Sequence, residues 1–276
     1  MTTQTDVREF SGFEAVQLNM TGSIARLTLN RPQSLNALND TMFREIPAAI
    51  EQAAGAHARV LLITGAGRAF CSGADLVARR MEFAETPAQR EQQNRASFER
   101  VIRLVNTLHE APMPTVAAIN GVAAGGGVGI ALGCDVTLMI RSARFVLTFV
   151  PKLGIVPDVA ATWLMSRAAG RAKTMIASLL GDSISSDEAD RWGLVSRVID
   201  DASFDADVRT ICERLANTPQ AAVRDTRKLV DLATEMPLRE HIGIERDLQV
   251  HLVGAPDFVE GVTAFREKRT PKFSAR

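Results

Sequence analysis

Residues 120–129 constrain the fold of this chain more than any other stretch. They read Asn-Gly-Val-Ala-Ala-Gly-Gly-Gly-Val-Gly and lie between two apolar runs, 115–119 and 130–132. This order predicts a strand, a turn of bare backbone and the start of a helix. The first N–H groups of a helix have no intrahelical partner and lie at the positive end of its dipole, so such a turn can hold a phosphate or a transient oxyanion. Close packing of the helix on a sheet is the purely structural alternative.

The charge balance argues against nucleic-acid and membrane partners. Lys and Arg together number 32, as do Asp and Glu, so the chain has no global field that attracts a polyanion. Apolar stretches are interrupted before the about 18 residues that a membrane span needs. The first six residues, Met-Thr-Thr-Gln-Thr-Asp, lack the regions of a signal peptide. We therefore expect a soluble, cytoplasmic protein.

Cysteine and histidine positions give no sign of disulfides or of a metal site. The three cysteines are far apart and odd in number, which suits a reducing compartment: Cys71, Cys134 and Cys212. The four histidines show no metal-ligand spacing: His57, His109, His241 and His251. We expect no metal site.

Strand and helix signals alternate through most of the chain, which predicts an α/β fold. The predicted strands are 15–18, 24–29, 60–64, 115–119, 136–140 and 145–150. Helices are predicted at 40–53, at 86–110 and after a capping box at Ser185 to Glu188. From about residue 205 the pattern is helical, at 208–215, 220–232 and 238–252. We expect a core at 1–204 and a helical extension at 205–276.

Two helix predictions name individual residues and can be tested against a structure. The helix after Thr86 should bury one apolar stripe, consisting of Phe98, Val101, Ile102, Val105 and Leu108. Pro157 can begin a helix, which would place Asp158 in its first turn. There Asp158 is either a carboxylate that interacts with the helix dipole or a general base kept ionised by it.

Two of the three loops that follow predicted strands contain unusual glycine patterns. Residues 67–76 read Gly-Arg-Ala-Phe-Cys-Ser-Gly-Ala-Asp-Leu, and the second loop is the triple glycine at 125–127. Residues 65–70 lack the third glycine of a Rossmann turn, and no phosphate-binding P-loop is present. Stabilising an oxyanion usually takes two convergent N–H donors, and these two loops together could supply one donor each.

Taken in order, the motifs resemble the enoyl-CoA hydratase/isomerase (crotonase) superfamily, and most of all its isomerase branch. The resemblance rests on Leu-Asn-Arg-Pro at 29–32, Leu-Asn-Ala-Leu-Asn at 35–39, Ser-Gly-Ala-Asp-Leu at 72–76, the triple glycine, and Gly-Ile-Val-Pro at 154–157. It covers the chain from about residue 16 to 273. It implies a crotonase-like α/β spiral of ββα units, with a C-terminal helical region that builds homotrimers or dimers of trimers.

The resemblance also implies a site for an acyl-CoA thioester, with coenzyme A as part of the substrate and no separate cofactor. The thioester oxygen would lie between the N–H groups of Ala74 and Gly126. The implied binding residues are Arg31, Ser34, Ala37, Leu38, Arg68, Asp75, Leu76, Gly125, Phe265 and Lys268.

The chain departs from the hydratases that it resembles. These carry two glutamates, at positions that hold Gly129 and, within one residue, Val150 here. Neither residue can move a proton. Instead, Asp158 follows Gly-x-x-Pro, as in the isomerase branch, and an aspartate with the ordinary pKa of about 3.9 is an ionised base at neutral pH. We expect apolar walls, from Phe149 and Trp163, to raise the pKa of Asp158.

We therefore expect a double-bond isomerase in which Asp158 moves the proton. Asp75 and Asp135 are rival bases, although a structural role is simpler for each. A hydratase with rearranged acid and base groups, or an acyl-CoA-binding homologue without catalysis, remain alternatives.

Overall fold

The computed structural model of the chain describes residues 7–76 and 86–273. The first six residues, which bear on the signal-peptide prediction, lie outside the described residues. The strands are β1 (Val7–Phe10), β2 (Val16–Thr21), β3 (Ile24–Leu29), β4 (Val60–Gly65), β5 (Ala69–Cys71), β6 (Thr115–Ile119), β7 (Val122–Ala124), β8 (Val136–Ile140), β9 (Arg144–Val146), β10 (Ser183–Ser185) and β11 (Arg197–Ile199). The helices are α1 (Asp40–Gly55), α2 (Pro87–His109), α3 (Gly126–Leu132), α4 (Ala161–Leu180), α5 (Ser186–Arg191), α6 (Phe204–Ala216), α7 (Gln220–Leu232), α8 (Leu238–Val253) and α9 (Pro256–Glu267).

The strands form two sheets through a repeated ββα unit. The larger sheet has the order β1-β2-β3-β4-β6-β8-β11 and is parallel from β3 onward, whereas the smaller sheet has the order β10-β9-β7-β5. In the units β4–β5–α2, β6–β7–α3 and β8–β9–α4, the first strand joins the larger sheet and the second joins the smaller one. This arrangement is the predicted spiral of ββα units.

The smaller sheet explains why distant loops meet. Strands β5, β7 and β9 are parallel neighbours, with Cys71 opposite Ala123 and Ala124 opposite Val146. The carboxyl ends of parallel strands lie at the same edge of a sheet, so the segments after residues 71, 124 and 146 all begin there. That edge is the place to look for a site.

Helices cover the larger sheet. Every residue of β4 and β6 is buried, as the continuous apolar runs predict for strands covered on both faces. Helix α1 contributes the predicted stripe of Met42, Ile46, Ile50 and Ala53 to the main core. Helix α6 packs Phe204, Val208, Cys212 and Ala216 against β4, β6 and β8, so the helical region begins in direct contact with the sheet.

The predicted burial of α2 is wrong in part. Phe98 is 47% and Ile102 49% exposed, whereas Leu104 and Leu108 are fully buried. At about 100° per residue, Leu104 and Leu108 lie at one edge of a wide apolar face and Phe98 and Ile102 at its other edge, with the half-buried Val101 and Val105 between them. Only the first edge is buried. The helix start is as predicted, with Thr86 and Gln89 forming a capping box.

One predicted strand needs correction, and some elements were missed. The strand predicted at 145–150 ends at Val146, and Phe149–Leu153 forms a π-helical turn instead. The sequence analysis missed β1 and the terminal helix α9, while α7 has the predicted bounds. Among residues 7–76 and 86–273, no helix is long and apolar enough to cross a membrane.

Candidate active site

Two glycines bring the two predicted oxyanion donors together. Gly73 and Gly125 have φ values of +88° and +52°, which residues other than glycine rarely adopt. A Cβ added to Gly73 would lie 2.9 Å from Ala124 O and 3.3 Å from Gly125 Cα. Only bare backbone allows this approach, and Ala74 and Gly126 each directly follow one of these two glycines.

The orientation of Ala74 follows from a short parallel pairing with Leu38. Leu38 N donates to Gly73 O at 2.7 Å, and Asp75 N donates to Leu38 O at 2.9 Å. In a parallel ladder the residue between these two bonds directs its own N–H to the opposite side. The N–H of Ala74 is therefore not used in this pairing, and Ala74 is exposed.

An ion pair supports the same loop. Arg31 and Asp75 lie 2.8 Å apart, with their side chains 17% and 8% exposed, and Arg31 also donates to Ala37 O. Asp75 is thus held by a cation in the loop that carries Ala74. Ser34 belongs to this assembly through its backbone, because Ser72 Oγ donates to Ser34 O at 3.2 Å.

Two asparagines organise the loops, and the sequence analysis assigned neither a role. Asn36 is fully buried with φ +57°; it accepts from Arg31 N and donates to Ala66 O and Ala69 O, all within 2.9 Å. The available signal was an asparagine in a turn, since asparagine tolerates left-handed backbone and bonds to nearby main chain.

The second asparagine, Asn120, joins the end of β6 to the loop after β4. Its Oδ1 accepts from Gly65 N at 3.0 Å, and its Nδ2 donates to Gly65 O at 2.9 Å and to Gly67 O at 3.0 Å. The loop that leads to Ala74 is therefore held at its start by Asn120 and at its end by the pairing with Leu38.

The triple glycine begins α3 as predicted. Gly125 is the N-cap, and Gly126 is the first helical residue. A Cβ on Gly127 would lie 2.5 Å from Cys71 O and 3.0 Å from Cys71 Sγ, so close packing also requires glycine here. Burial raises the pKa of the Cys71 thiol to about 12, which keeps it protonated and excludes it as a nucleophile at neutral pH.

Asp158 lies beside Gly126, but not on a helix. A Cβ on Gly126 would lie 3.6 Å from Asp158 Oδ1, an atom that is buried. The prediction that Pro157 begins a helix is wrong, since α4 begins only at Ala161. The reason is the turn between them, in which Val159 and Ala160 have φ values of +50° and +55° and so cannot continue a right-handed helix.

Apolar side chains surround the two glycines beside Asp158. A Cβ on Gly126 would lie 2.9 Å from Val159 Cγ2 and 3.2 Å from Leu38 Cδ1, and one on Gly125 would lie 3.6 Å from Phe149 Cζ. Phe149 is thus beside the triple glycine. Trp163 stacks on Arg167 at 4.2 Å and lines a cavity of about 200 Å³ between α2, α3 and the start of α4, which Gly129 and Val159 also line.

Asp135, the other rival carboxylate, has structural partners. Its Oδ2 accepts from Thr115 N at 2.7 Å and from Thr115 Oγ1, and its Oδ1 pairs with Arg227 at 2.7 Å. Arg227 also donates to His109 O and Ala111 O. This cluster fastens α7 to the core.

The remaining predicted residues are spread over the surface. Arg68 and Leu76 are exposed in the loop before and after β5. Phe265 is 86% exposed on α9, and Lys268 follows that helix with left-handed backbone. Phe265 lines a cavity of about 440 Å³ between α7, α8 and α9, whose described lining contains no residue of the Ala74 or Gly126 loops. Among residues 7–76 and 86–273, no group of His, Cys, Asp and Glu could hold a metal ion.

A family model described as enoyl-CoA hydratase/isomerase matches residues 19–276. The chain belongs to the enoyl-CoA hydratase/isomerase family. It is accordingly an acyl-CoA enzyme, as the sequence motifs predict.

Some relatives in this family are named as isomerases and others as hydratases. The 1,2-epoxyphenylacetyl-CoA isomerase of Escherichia coli K12 is 38% identical over 255 residues, covering 92% of this chain and 95% of that protein. A probable enoyl-CoA hydratase of Rhodobacter capsulatus is 36% identical over 264 residues, covering 96% and 99%.

Solved structures agree on the fold. An enoyl-CoA hydratase from Bacillus anthracis superposes with a TM-score of 0.87 at 29% identity, covering 95% of this chain and all of that one. An enoyl-CoA hydratase/carnithine racemase from Magnetospirillum magneticum gives 0.85 at 32% identity, covering 96% and 97%. The predicted crotonase-like fold is confirmed.

Proposed function

We propose that this enzyme shifts a double bond within an unsaturated acyl-CoA and that Asp158 is its proton carrier. One observation carries the proposal: Asp158 Oδ1 lies 3.6 Å from the Cβ position of Gly126, beside a proposed donor to the thioester oxygen. The 38% identity to an acyl-CoA isomerase supports it further.

The proposed reaction balances without any outside reactant. The Asp158 carboxylate removes a proton from the carbon next to the thioester, and the electrons of that C–H bond form a dienolate. Its negative oxygen accepts from the N–H groups of Ala74 and Gly126. Each such donor contributes about 2.7–4 kcal/mol to the transition state. The protonated Asp158 then returns the proton at the γ-carbon, so the carboxylate is regenerated.

The surroundings of position 129 favour isomerisation over hydration. Adding water across a double bond needs both an acid and a base, and neither Gly129 nor Val150 supplies one. A side chain at 129 would also collide with Val159, since a Cβ there would lie 2.0 Å from Val159 O.

The substrate-binding residues and the assembly are proposed from the family resemblance. Arg68 and Lys268 would offset phosphate charge on coenzyme A, and Phe265 would cover it; no separate cofactor enters the reaction. We further propose that residues 205–276 form the contacts of a trimer or a dimer of trimers. The exposed apolar side chains of α8 and α9, among them Leu238, Val250 and Val259, support this assignment. Light scattering on the purified protein would test it, and a monomer would contradict it.

Asp158→Asn tests the catalytic assignment. The amide cannot accept the proton, so turnover of a β,γ-unsaturated acyl-CoA should fall by about 10²–10⁴-fold. Calorimetric affinity for a saturated acyl-CoA should stay within a few-fold. Asp182→Asn, the same change at an exposed site, is the matched control. Near-normal turnover in Asp158→Asn would refute the proposal.

The same preparation separates the alternatives. Hydration of crotonyl-CoA by the unaltered enzyme, without double-bond migration, would identify a hydratase, as several relatives are named. Binding of acyl-CoA without any exchange of its α-proton would identify a non-catalytic homologue.

A further inference from the structure

The two residues after Asp158 form an unusual turn. Ala161 N donates to Asp158 O at 3.0 Å, closing a four-residue turn whose central residues are Val159 and Ala160. Both have positive φ, a pattern of type I′ turns, which favour glycine and asparagine. Positive φ is rare for a β-branched residue such as valine and persists only where the surroundings enforce it.

Helix α3 supplies those surroundings through two bare positions. A Cβ on Gly129 would lie 2.0 Å from Val159 O and 2.7 Å from Val159 Cβ, and one on Gly126 would lie 2.9 Å from Val159 Cγ2. Residues three apart on a helix lie on the same face. Gly126 and Gly129 thus form a socket in which the backbone and side chain of Val159 are seated.

We infer that this socket positions the base: Gly129 and Val159 together hold the Asp158 carboxylate beside Gly126. The inference rests on the proposed function. Because Val159 follows Asp158 directly, any shift of its backbone moves the carboxylate. Gly129 then has a role of its own, beyond the lack of the glutamate that hydratases carry at this position. A side chain at 129 would occupy the space that this turn fills.

Two variants disturb the socket from opposite sides. Gly129→Ala inserts a methyl group where Val159 O lies, which expels the turn. Val159→Gly creates no collision and tolerates positive φ, but it removes the side chain that fills the socket, so contact with α3 no longer selects one backbone conformation of the turn. A displacement of about 1 Å from reacting geometry can cost about 100-fold in rate. We expect kcat to fall by about 10- to 100-fold in each variant, with affinity for acyl-CoA changed by less than about threefold.

Two comparisons separate positioning from general damage. Val159→Thr keeps the branched shape and should restore most of the turnover lost in Val159→Gly. Gly55→Ala, at the exposed end of α1 with nothing within 4 Å of the added Cβ, should leave kcat unchanged. Equal losses of kcat and of thermal stability in Val159→Gly and Val159→Thr would contradict the inference.

The decisive measurement combines Gly129→Ala or Val159→Gly with Asp158→Asn. If the socket acts through Asp158, adding either change to Asp158→Asn should lower the residual rate by less than about twofold. Multiplicative losses would overturn the inference, as would wild-type kcat in both single variants. These results differ from failure of the proposed function, in which Asp158→Asn alone would keep its activity. If Gly129→Ala does not fold, Val159→Gly still decides.

Discussion

Replacing Asn36 should destabilise the protein far more than replacing an ordinary turn residue. Asn36→Ala removes three buried or half-buried hydrogen bonds, each with a net contribution of about 1 kcal/mol. Alanine at φ +57° adds about 1 kcal/mol of strain, because left-handed backbone brings Cβ too close to the following carbonyl. The expected loss in the free energy of unfolding is therefore about 4 kcal/mol, a large part of the 5–15 kcal/mol that proteins typically have.

Guanidinium unfolding of three variants measures the two contributions separately. Asn36→Gly loses the same bonds but is spared the left-handed strain, so it should be more stable than Asn36→Ala by a few tenths to about 1 kcal/mol. Asn106→Ala, an exposed asparagine on α2, should change stability by less than about 0.5 kcal/mol. A loss below about 1 kcal/mol in Asn36→Ala would refute the reasoning that Asn36 fastens these loops.

Two further predictions concern the socket and the C-terminal end. The Gly129→Glu variant should not hydrate crotonyl-CoA, because Val159 occupies the space that the glutamate needs. Hydration is measured as loss of the enoyl-thioester absorbance. Hydration by this variant would show that the turn at Val159 moves to admit the side chain, and would contradict the prediction. Hydrogen bonds from Arg269 hold the pKa of Glu260 at about 2, below its ordinary 4.5, so this interaction stabilises the fold above about pH 4.5 and is lost as pH falls towards 2. In NMR titrations, Arg269→Met should return the pKa of Glu260 towards 4.5, and an unchanged value would contradict the assignment.

Much of the fold could be predicted because its strongest signals are local. Uninterrupted apolar runs identify β4 and β6, an N-cap threonine followed by proline identifies the start of α2, and a capping box identifies the start of α5. Strands β5 and β7 have three residues each, too few to show an alternating pattern. On α2 the apolar residues form one wide face, and only the tertiary packing decides which edge of it is buried.

The site was predictable in its components but not in its geometry. The Gly-Gly-Gly sequence indicates a close backbone approach, whereas nothing in Val159-Ala160 indicates left-handed backbone. That turn arises from contact with Gly129, thirty residues earlier, so only the three-dimensional structure reveals it. For the same reason the helix predicted at Pro157 begins four residues later.

The most direct test of the account is exchange of the substrate α-proton with deuterated water. The unaltered enzyme should place deuterium at the γ-carbon of the product, and at the α-carbon of recovered substrate when the first step reverses, because the proton on Asp158 can exchange before it returns. Asp158→Asn should bind the same acyl-CoA with similar affinity yet exchange at least about 100-fold more slowly. Exchange at the normal rate in that variant would show that another group removes the proton, and would contradict the central claim.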